Sequence, residues 1–250
     1  MLLEYPVNSN EKLLFWGEAF NTRNDFFIKT NCLINEINLI IFLDSRGISA
    51  NFDTSLVKMI LDEFEYDTNY LIVARPIEIT TWVTLYNFLK LNKLNSKRII
   101  TNMGFVDFTP KKRTIVELYT YQYKLFFSSA DIEINKVGKF INKHGESEIL
   151  FEQKPPQSFL KQLKSLFKIF NVVLIDTPYV SSDIKFKRVR PKVFYDGLNK
   201  TSLFHDKIQN LIEKIDLPEF TIDETYDAVH YTYEGNLLIF NKIKTFLKLS

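Results

Sequence analysis

The chain reads as an α/β protein, a three-layer α/β/α arrangement around a mainly parallel, flavodoxin-like central sheet. Short apolar runs alternate with longer stretches of helical period, the pattern of a parallel sheet with helices on its faces. The runs are apolar at consecutive rather than alternate positions, as strands buried on both sides must be. Hydrophobic residues make up 46% and charged residues 25% of 250 positions, with only 7 Gly and 8 Pro, which excludes collagen-like and Pro/Gly-rich disordered classes. A chain of this length buries roughly 70–75% of the surface its unfolded form exposes, enough for a core without disulfides or a structural metal.

The elements follow in order. Residues 1–37 precede the first expected sheet strand and are predicted to form a hairpin or short helix around Phe15-Trp16 and Phe26-Phe27. Asn38–Leu43 is the first strand and ends in Asp-Ser-Arg-Gly. Ser55–Glu65 carries Leu56, Met59, Ile60 and Phe64 at helical spacing, and Tyr70–Ala74 is a second strand. Thr80–Leu91 repeats Trp82, Leu85, Phe88 and Leu89 as a helix does, before a third strand at Arg98–Met103.

In Thr114–Phe127 the tyrosines 119, 121 and 123 alternate like a strand, whereas Ile115, Leu118, Gln122 and Leu125 trace a helix; a helix is predicted. Glu148–Glu152 is expected as a short edge strand. Pro155-Pro156 opens a helix striped by Phe159, Leu163, Leu166, Phe167 and Phe170, and Asn171–Ile175 is the fourth strand. A helix over Asp206–Ile215 and a fifth strand at Glu219–Ile222 are expected next. The last helix spans about Tyr233–Leu247, with Thr232 as N-cap and Glu234 placed well for the helix dipole. No repeat or linker divides the chain, so residues 1–250 read as one domain with 1–37 as an N-terminal embellishment.

Charge and cysteine usage narrow the function classes. A formal net charge of +2 gives no bulk attraction to nucleic acid. The N-terminal residues lack the basic and apolar regions of a signal peptide and no run is long enough to span a membrane, so a cytoplasmic location is expected. The single cysteine, Cys32, fits a reducing compartment and offers no zinc spacing. No Gly-rich phosphate loop, dinucleotide fingerprint or metal cluster occurs, and no cofactor is expected.

In open parallel sheets ligands bind outside the carboxyl ends of the strands. There the sequence places Asp44-Ser45-Arg46-Gly47, Arg75-Pro76, Asn102-Met103-Gly104 with Asp107 close behind, and Asp176-Thr177-Pro178. Asp227 stands three residues before His230, just ahead of the last helix. A carboxylate at that spacing can turn onto the imidazole, fix its tautomer and stabilise the imidazolium formed when the ring takes a proton. A serine hydroxyl needs such a base to become a nucleophile, and Ser45 at the first strand end is its natural partner. His144 and His205 read as solvated, and Asp107 and Asp176 as site carboxylates or helix caps.

This arrangement resembles the SGNH (GDSL-type) hydrolases in diverged form. Their Gly-Asp-Ser motif is similar to Leu43-Asp44-Ser45, and their Asp-x-x-His motif with a following glycine is matched by Asp227, His230 and Gly235. Gly104-Phe105-Val106-Asp107 matches the Gly-x-Asn-Asp motif in part, with Val106 in place of the oxyanion-binding asparagine, and the glycine expected after the second strand is absent from Val73-Ala74-Arg75-Pro76.

The resemblance implies a Ser-His-Asp ester hydrolase acting on an O-acyl group of a carbohydrate or similar polar metabolite. Ser45 would be its nucleophile, His230 its base and Asp227 the orienter, with Asn102 and Gly104 at the oxyanion. Asp44, Arg46, Arg75 and Asp107 would line the substrate. Lys185, Lys187, Arg188, Arg190 and Lys192 crowd one segment, so Lys187, Arg188 and Arg190 are expected to favour an anionic substrate. The alternatives are acyl transfer to a sugar hydroxyl at the same site, a non-catalytic carbohydrate-binding or assembly protein, and a nucleotide-sugar enzyme using the basic segment.

Overall fold

The computed structural model describes residues 2–17, 26–48, 51–63, 68–77, 80–94, 97–127, 132–141, 145–181, 183–186 and 192–248. An N-terminal hairpin pairs β1 (Leu2–Pro6) with β2 (Lys12–Trp16). The chain then enters the central sheet through β3 (Phe27–Thr30) and continues with β4 (Leu39–Leu43), α1 (Leu56–Glu63), β5 (Tyr70–Ala74) and α2 (Trp82–Leu91). Next come β6 (Arg98–Thr101), α3 (Phe105–Phe108) and α4 (Arg113–Lys124), then a hairpin of β7 (Ile134–Ile141) and β8 (Ser147–Gln153). The remainder is α5 (Gln157–Ile169), β9 (Asn171–Ile175), α6 (Lys192–Ile208), β10 (Glu213–Ile215) and α7 (Tyr233–Leu247).

The sheet order is β10-β9-β6-β4-β5-β3, parallel throughout except for β3, which runs antiparallel along the β5 edge. Numbered by appearance, the five parallel strands lie in the order 2-1-3-4-5, the flavodoxin-like winding. Alternation along each strand divides the core. Ile40, Phe42, Leu71, Val73 and Val172 face a cluster with Trp82, Phe88, Phe159 and Leu163 of α2 and α5. Leu39, Ile41, Leu43, Ile72 and Val173 face a second cluster with Val57, Ile60, Ile239 and Ile243 of α1 and α7. Two sided burial of every residue of β4 and β5 is the reason their sequences are unbroken apolar runs.

Four elements differ from expectation. The sheet begins with β3, inside the segment expected to stay apart from it: Thr30 Oγ1 donates to Tyr70 O at 2.7 Å and Asn31 accepts from Tyr70 N at 2.9 Å, fastening that strand to β5. The fifth parallel strand is β10, not Glu219–Ile222, and the helix expected at Asp206–Ile215 is the end of the much longer α6. The buried face of α6 runs through Gly197, Thr201, His205 and Ile208, of which only the last is a large apolar residue. Gly197 is required there because a Cβ would lie 3.0 Å from Phe108 O and 3.1 Å from Thr109 Cα, so α6 packs backbone-close on α3. The residues 148–152 strand belongs to the β7–β8 hairpin rather than to an edge of the central sheet.

Candidate active site

The first parallel strand, β4, connects to β5 on one side, and the chain then crosses to β6 on the other. The switch point of the winding therefore lies between the carboxyl ends of β4 and β6. The turn Asp44–Gly47 leaves β4 here, opposite Asn102–Gly104 at the end of β6. Gly47 N donates to Asp44 O at 3.1 Å and closes the turn, and a Cβ on Gly47 would press to 2.5 Å from the Leu43 side chain.

Under this turn lies a buried polar network. Asp44 and Arg46 are 1% and 2% exposed and form an ion pair, with Arg46 Nε 3.0 Å and Nη2 2.9 Å from Asp44 Oδ2. Asp44 Oδ1 also accepts from Arg46 N at 2.8 Å and Asn102 Nδ2 at 3.0 Å, while Asn102 Oδ1 accepts from Asp44 N at 2.8 Å. Arg46 Nη2 donates to Asn102 O, Nη1 reaches Thr177 Oγ1 at 3.2 Å and Tyr231 Oη at 3.5 Å, and the guanidinium sits 5.1 Å above the Phe105 ring. Burial works against the Arg46 charge, but the Asp44 carboxylate beside it more than offsets that and raises its pKa. Burial likewise pushes the Tyr231 hydroxyl up to about 12.

Expected to touch substrate, Asp44 and Arg46 are instead enclosed beneath Ser45 and hold its turn. Ser45 itself is partly exposed at the surface of the turn.

The second half of the site precedes α7. Asp227 is fully buried and accepts from Val229 N at 3.1 Å and His230 N at 2.8 Å, folding 227–230 into a tight turn. Ala228 takes φ +65° within it, a left-handed conformation that costs an L-residue roughly 1–2 kcal/mol. The turn brings His230 Nδ1 to 3.1 and 3.0 Å from the two Asp227 oxygens. Nδ1 engaged, Nε2 is the ring nitrogen left for a proton acceptor's role, on a side chain 27% exposed. Tyr226 stacks on the imidazole at 5.7 Å and 14°. His230 O accepts from Thr225 Oγ1 at 2.9 Å and Tyr226 N at 3.2 Å, so backbone and ring are both fixed.

The two halves meet through the residues that follow each candidate. Arg46, next after Ser45, reaches Tyr231, next after His230, and Asn236 of α7 donates to Thr54 O at 3.0 Å on the segment leading from the Ser45 turn to α1. No hydrogen bond joins Ser45 Oγ to His230 among the described residues; catalytic hydrogen bonds without substrate are often long.

The other candidates are placed as follows. Arg75 takes φ +48° at the end of β5, and its N–H donates to Leu43 O at 2.8 Å, so that donor belongs to the sheet. Gly104 takes φ +121°, and a Cβ there would lie 2.5 Å from His205 Nε2 and 3.2 Å from Trp82 Nε1. Asp107 accepts from Trp82 N at 3.2 Å with both oxygens, capping α2, and burial pushes its carboxyl up to about 8. Lys187, Arg188 and Arg190 lie outside the described residues, as does His144. Among the described residues no group of three or more His, Cys, Asp or Glu could hold a metal ion, and no helix is long and apolar enough to cross a membrane.

Sequence reasoning missed a second His–Asp pair. His205, expected to be solvated, is 0% exposed in α6, and its Nδ1 lies 2.8 Å from Asp176 Oδ1. Burial raises the Asp176 pKa, but His205 and Lys214, the latter 3.0 Å from Oδ2, outweigh it and leave the carboxyl below its ordinary value. The 29-residue separation carries no spacing signal, which is why only the folded chain reveals the pair.

No family model and no curated protein match the chain. Solved structures do. A gut microbial diltiazem-metabolizing enzyme matches 85% of this chain and 46% of its own at 11% identity and a TM-score of 0.46. An active site mutant of a family two carbohydrate esterase from Clostridium thermocellum matches 84% of this chain and 63% of its own at 8% identity and 0.40. A GDSL-like lipase from Parabacteroides merdae matches 86% of this chain and 98% of its own at 12% identity and 0.38. The chain thus spans less than two thirds of the first two. These values describe a loose likeness of backbone.

Proposed function

We propose that the protein is a serine-dependent ester hydrolase acting on an O-acyl group of a carbohydrate or similarly polar alcohol. The observation that carries this reading is the Asp227–His230 pair: a fully buried carboxylate faces Nδ1 with both oxygens, and the next residue, Tyr231, is reached by Arg46 of the Ser45 turn. In this reading Ser45 Oγ attacks the acyl carbon as His230 Nε2 takes its proton. The tetrahedral intermediate then expels the alcohol, to which His230 returns the proton, leaving an acyl-serine. Water, deprotonated by His230, attacks that ester, releasing the acid and restoring Ser45. Asp227 stays ionised and holds the ring. The Ser45 and Gly104 N–H groups and the second hydrogen of the Asn102 amide are the donors assigned to the oxyanion; no metal or organic cofactor is invoked.

The enzyme is expected to hydrolyse an activated aryl acetate, and Ser45→Ala to lower kcat/KM by at least about a thousandfold. Equal rates in wild type and variant would refute the nucleophile. The same acyl-enzyme would serve transfer to a sugar hydroxyl, distinguished by a transferred ester among the products.

One observation favours a second reading. The Asn102 amide already donates to Asp44 and is 1% exposed, so the side-chain donor assigned to the oxyanion is largely bound into the scaffold. Each missing donor costs roughly 2.7–4 kcal/mol of transition-state stabilisation. A site without that donor would bind its carbohydrate and turn it over slowly or not at all. Retained ligand without turnover would select that reading.

A further inference from the structure

Away from the Ser45 rim, α5, α6 and the β7–β8 hairpin enclose a groove of about 810 Å³. Its volume is that of a small-molecule site. The floor is apolar: Leu160, Leu163 and Phe167 from α5 face Leu203, Phe204 and Ile208 from α6. Leu203 is 61% exposed and faces the groove from α6. The rim is cationic, with Lys154, Lys161, Lys164, Lys200 and Lys207 against Glu133 and Glu152. The rim thus carries an excess of three positive charges.

The two glutamates are already engaged, Glu152 with Lys200 and Glu133 with Lys154 at 3.9 Å. Lys161, Lys164 and Lys207 are the cations left facing the groove without an ion pair among the described residues. On α6, Lys207 lies one turn beyond Leu203 and beside Phe204, so an unpaired charge stands at one end of the apolar stretch. From Leu160 to Phe167, the apolar residues that α5 gives the groove, the helix advances about 10.5 Å, close to the reach of an alkyl chain of roughly ten carbons.

An apolar floor long enough for a chain, with unpaired ammonium groups at its edge, selects a ligand with an apolar body and an anionic end. We infer that this groove binds a single-chain amphiphilic anion, an alkyl chain of roughly ten carbons or slightly more carrying a carboxylate or phosphate. None of the residues placed at the Ser45 rim lines the groove, so the inference stands independently of the hydrolase reading.

Calorimetric titration of the full-length chain with dodecanoate and with dodecyl phosphate, each below its micelle concentration, tests it. Saturable one-to-one binding is expected for at least one of them, the tighter of the two identifying the head group. Dodecanol should bind at least tenfold more weakly. Lys161→Glu with Lys164→Glu, and separately Leu203→Glu, alter exposed side chains; each should weaken binding at least tenfold without changing Tm, while Ser45→Ala should bind as wild type does. The inference is overturned by absence of saturable heat up to the solubility limit, by equal affinity for dodecanol, by binding that survives both sets of groove variants, or by its loss in Ser45→Ala. Self-association abolished by Leu203→Glu without amphiphile binding would mean that a second copy covers the groove, and would overturn it equally.

Discussion

At the scale of single residues, the site depends on charges placed where charges are costly. Asp44 and Arg46 are both removed from water, and each is tolerable only because the other is present with its hydrogen bonds complete. Arg46→Met keeps much of the side-chain volume but leaves a buried carboxylate uncompensated. It is expected to destabilise the fold by about 3–5 kcal/mol in urea unfolding; a loss below about 1 kcal/mol would show that the pair does not hold the turn. Asp107 makes a different statement, because its carboxyl is pushed up to about 8 from an ordinary 3.8. The folded chain then keeps a proton that the unfolded chain releases, so this group's stabilisation is full below about pH 3.8 and is lost as pH rises through 8. Asp107→Asn preserves the acceptor for Trp82 N and removes the titration. Between pH 5 and 8 the variant should gain Tm relative to wild type; parallel profiles would contradict the assignment.

At the scale of elements, α7 explains why a glycine follows the His230 turn. Thr232 caps the helix by accepting from Gly235 N at 3.2 Å, and its own N–H donates to Glu224 O at 2.9 Å. Gly235 thereby packs against the Glu224 carbonyl so closely that a Cβ would clash with it. Gly235→Ala should cost about 1–3 kcal/mol of stability, measured by urea unfolding, as forced overpacking does. An unchanged midpoint would mean that the 221–225 loop yields freely and does not brace the turn. Other elements show what a sequence can and cannot display. The strands β4, β5, β6 and β9 were legible because burial on both faces leaves nearly unbroken apolar runs. β10, Glu213-Lys214-Ile215, was not, because an edge strand this short holds one buried residue and Lys214 is recruited by Asp176 and Asp216. The buried face of α6 was hidden for the reason that makes it pack closely, since glycine and threonine replace the large apolar side chains that mark a helix in sequence.

At the scale of the whole molecule, the winding of the sheet decides where chemistry is placed. The strand order reverses between β4 and β6, and the Ser45 turn and Asn102–Gly104 follow the carboxyl ends of those two strands. The Asp227–His230 pair was readable from its spacing of three, since a local turn alone brings carboxylate to imidazole. The Asp44–Arg46–Asn102 network was not, because charged residues after a strand read as solvent-facing until the fold covers them. The relation between Ser45 and His230, 185 positions apart, is a property of the complete fold, fixed by Arg46 with Tyr231 and by Asn236 with Thr54. The measurement that tests the account most directly is labelling of the intact protein with a fluorophosphonate, with the modified residue located by peptide mass analysis. A single adduct on Ser45, absent from Ser45→Ala and strongly slowed in His230→Ala, is the predicted result. An unlabelled wild type, or an adduct elsewhere that persists in Ser45→Ala, would contradict it.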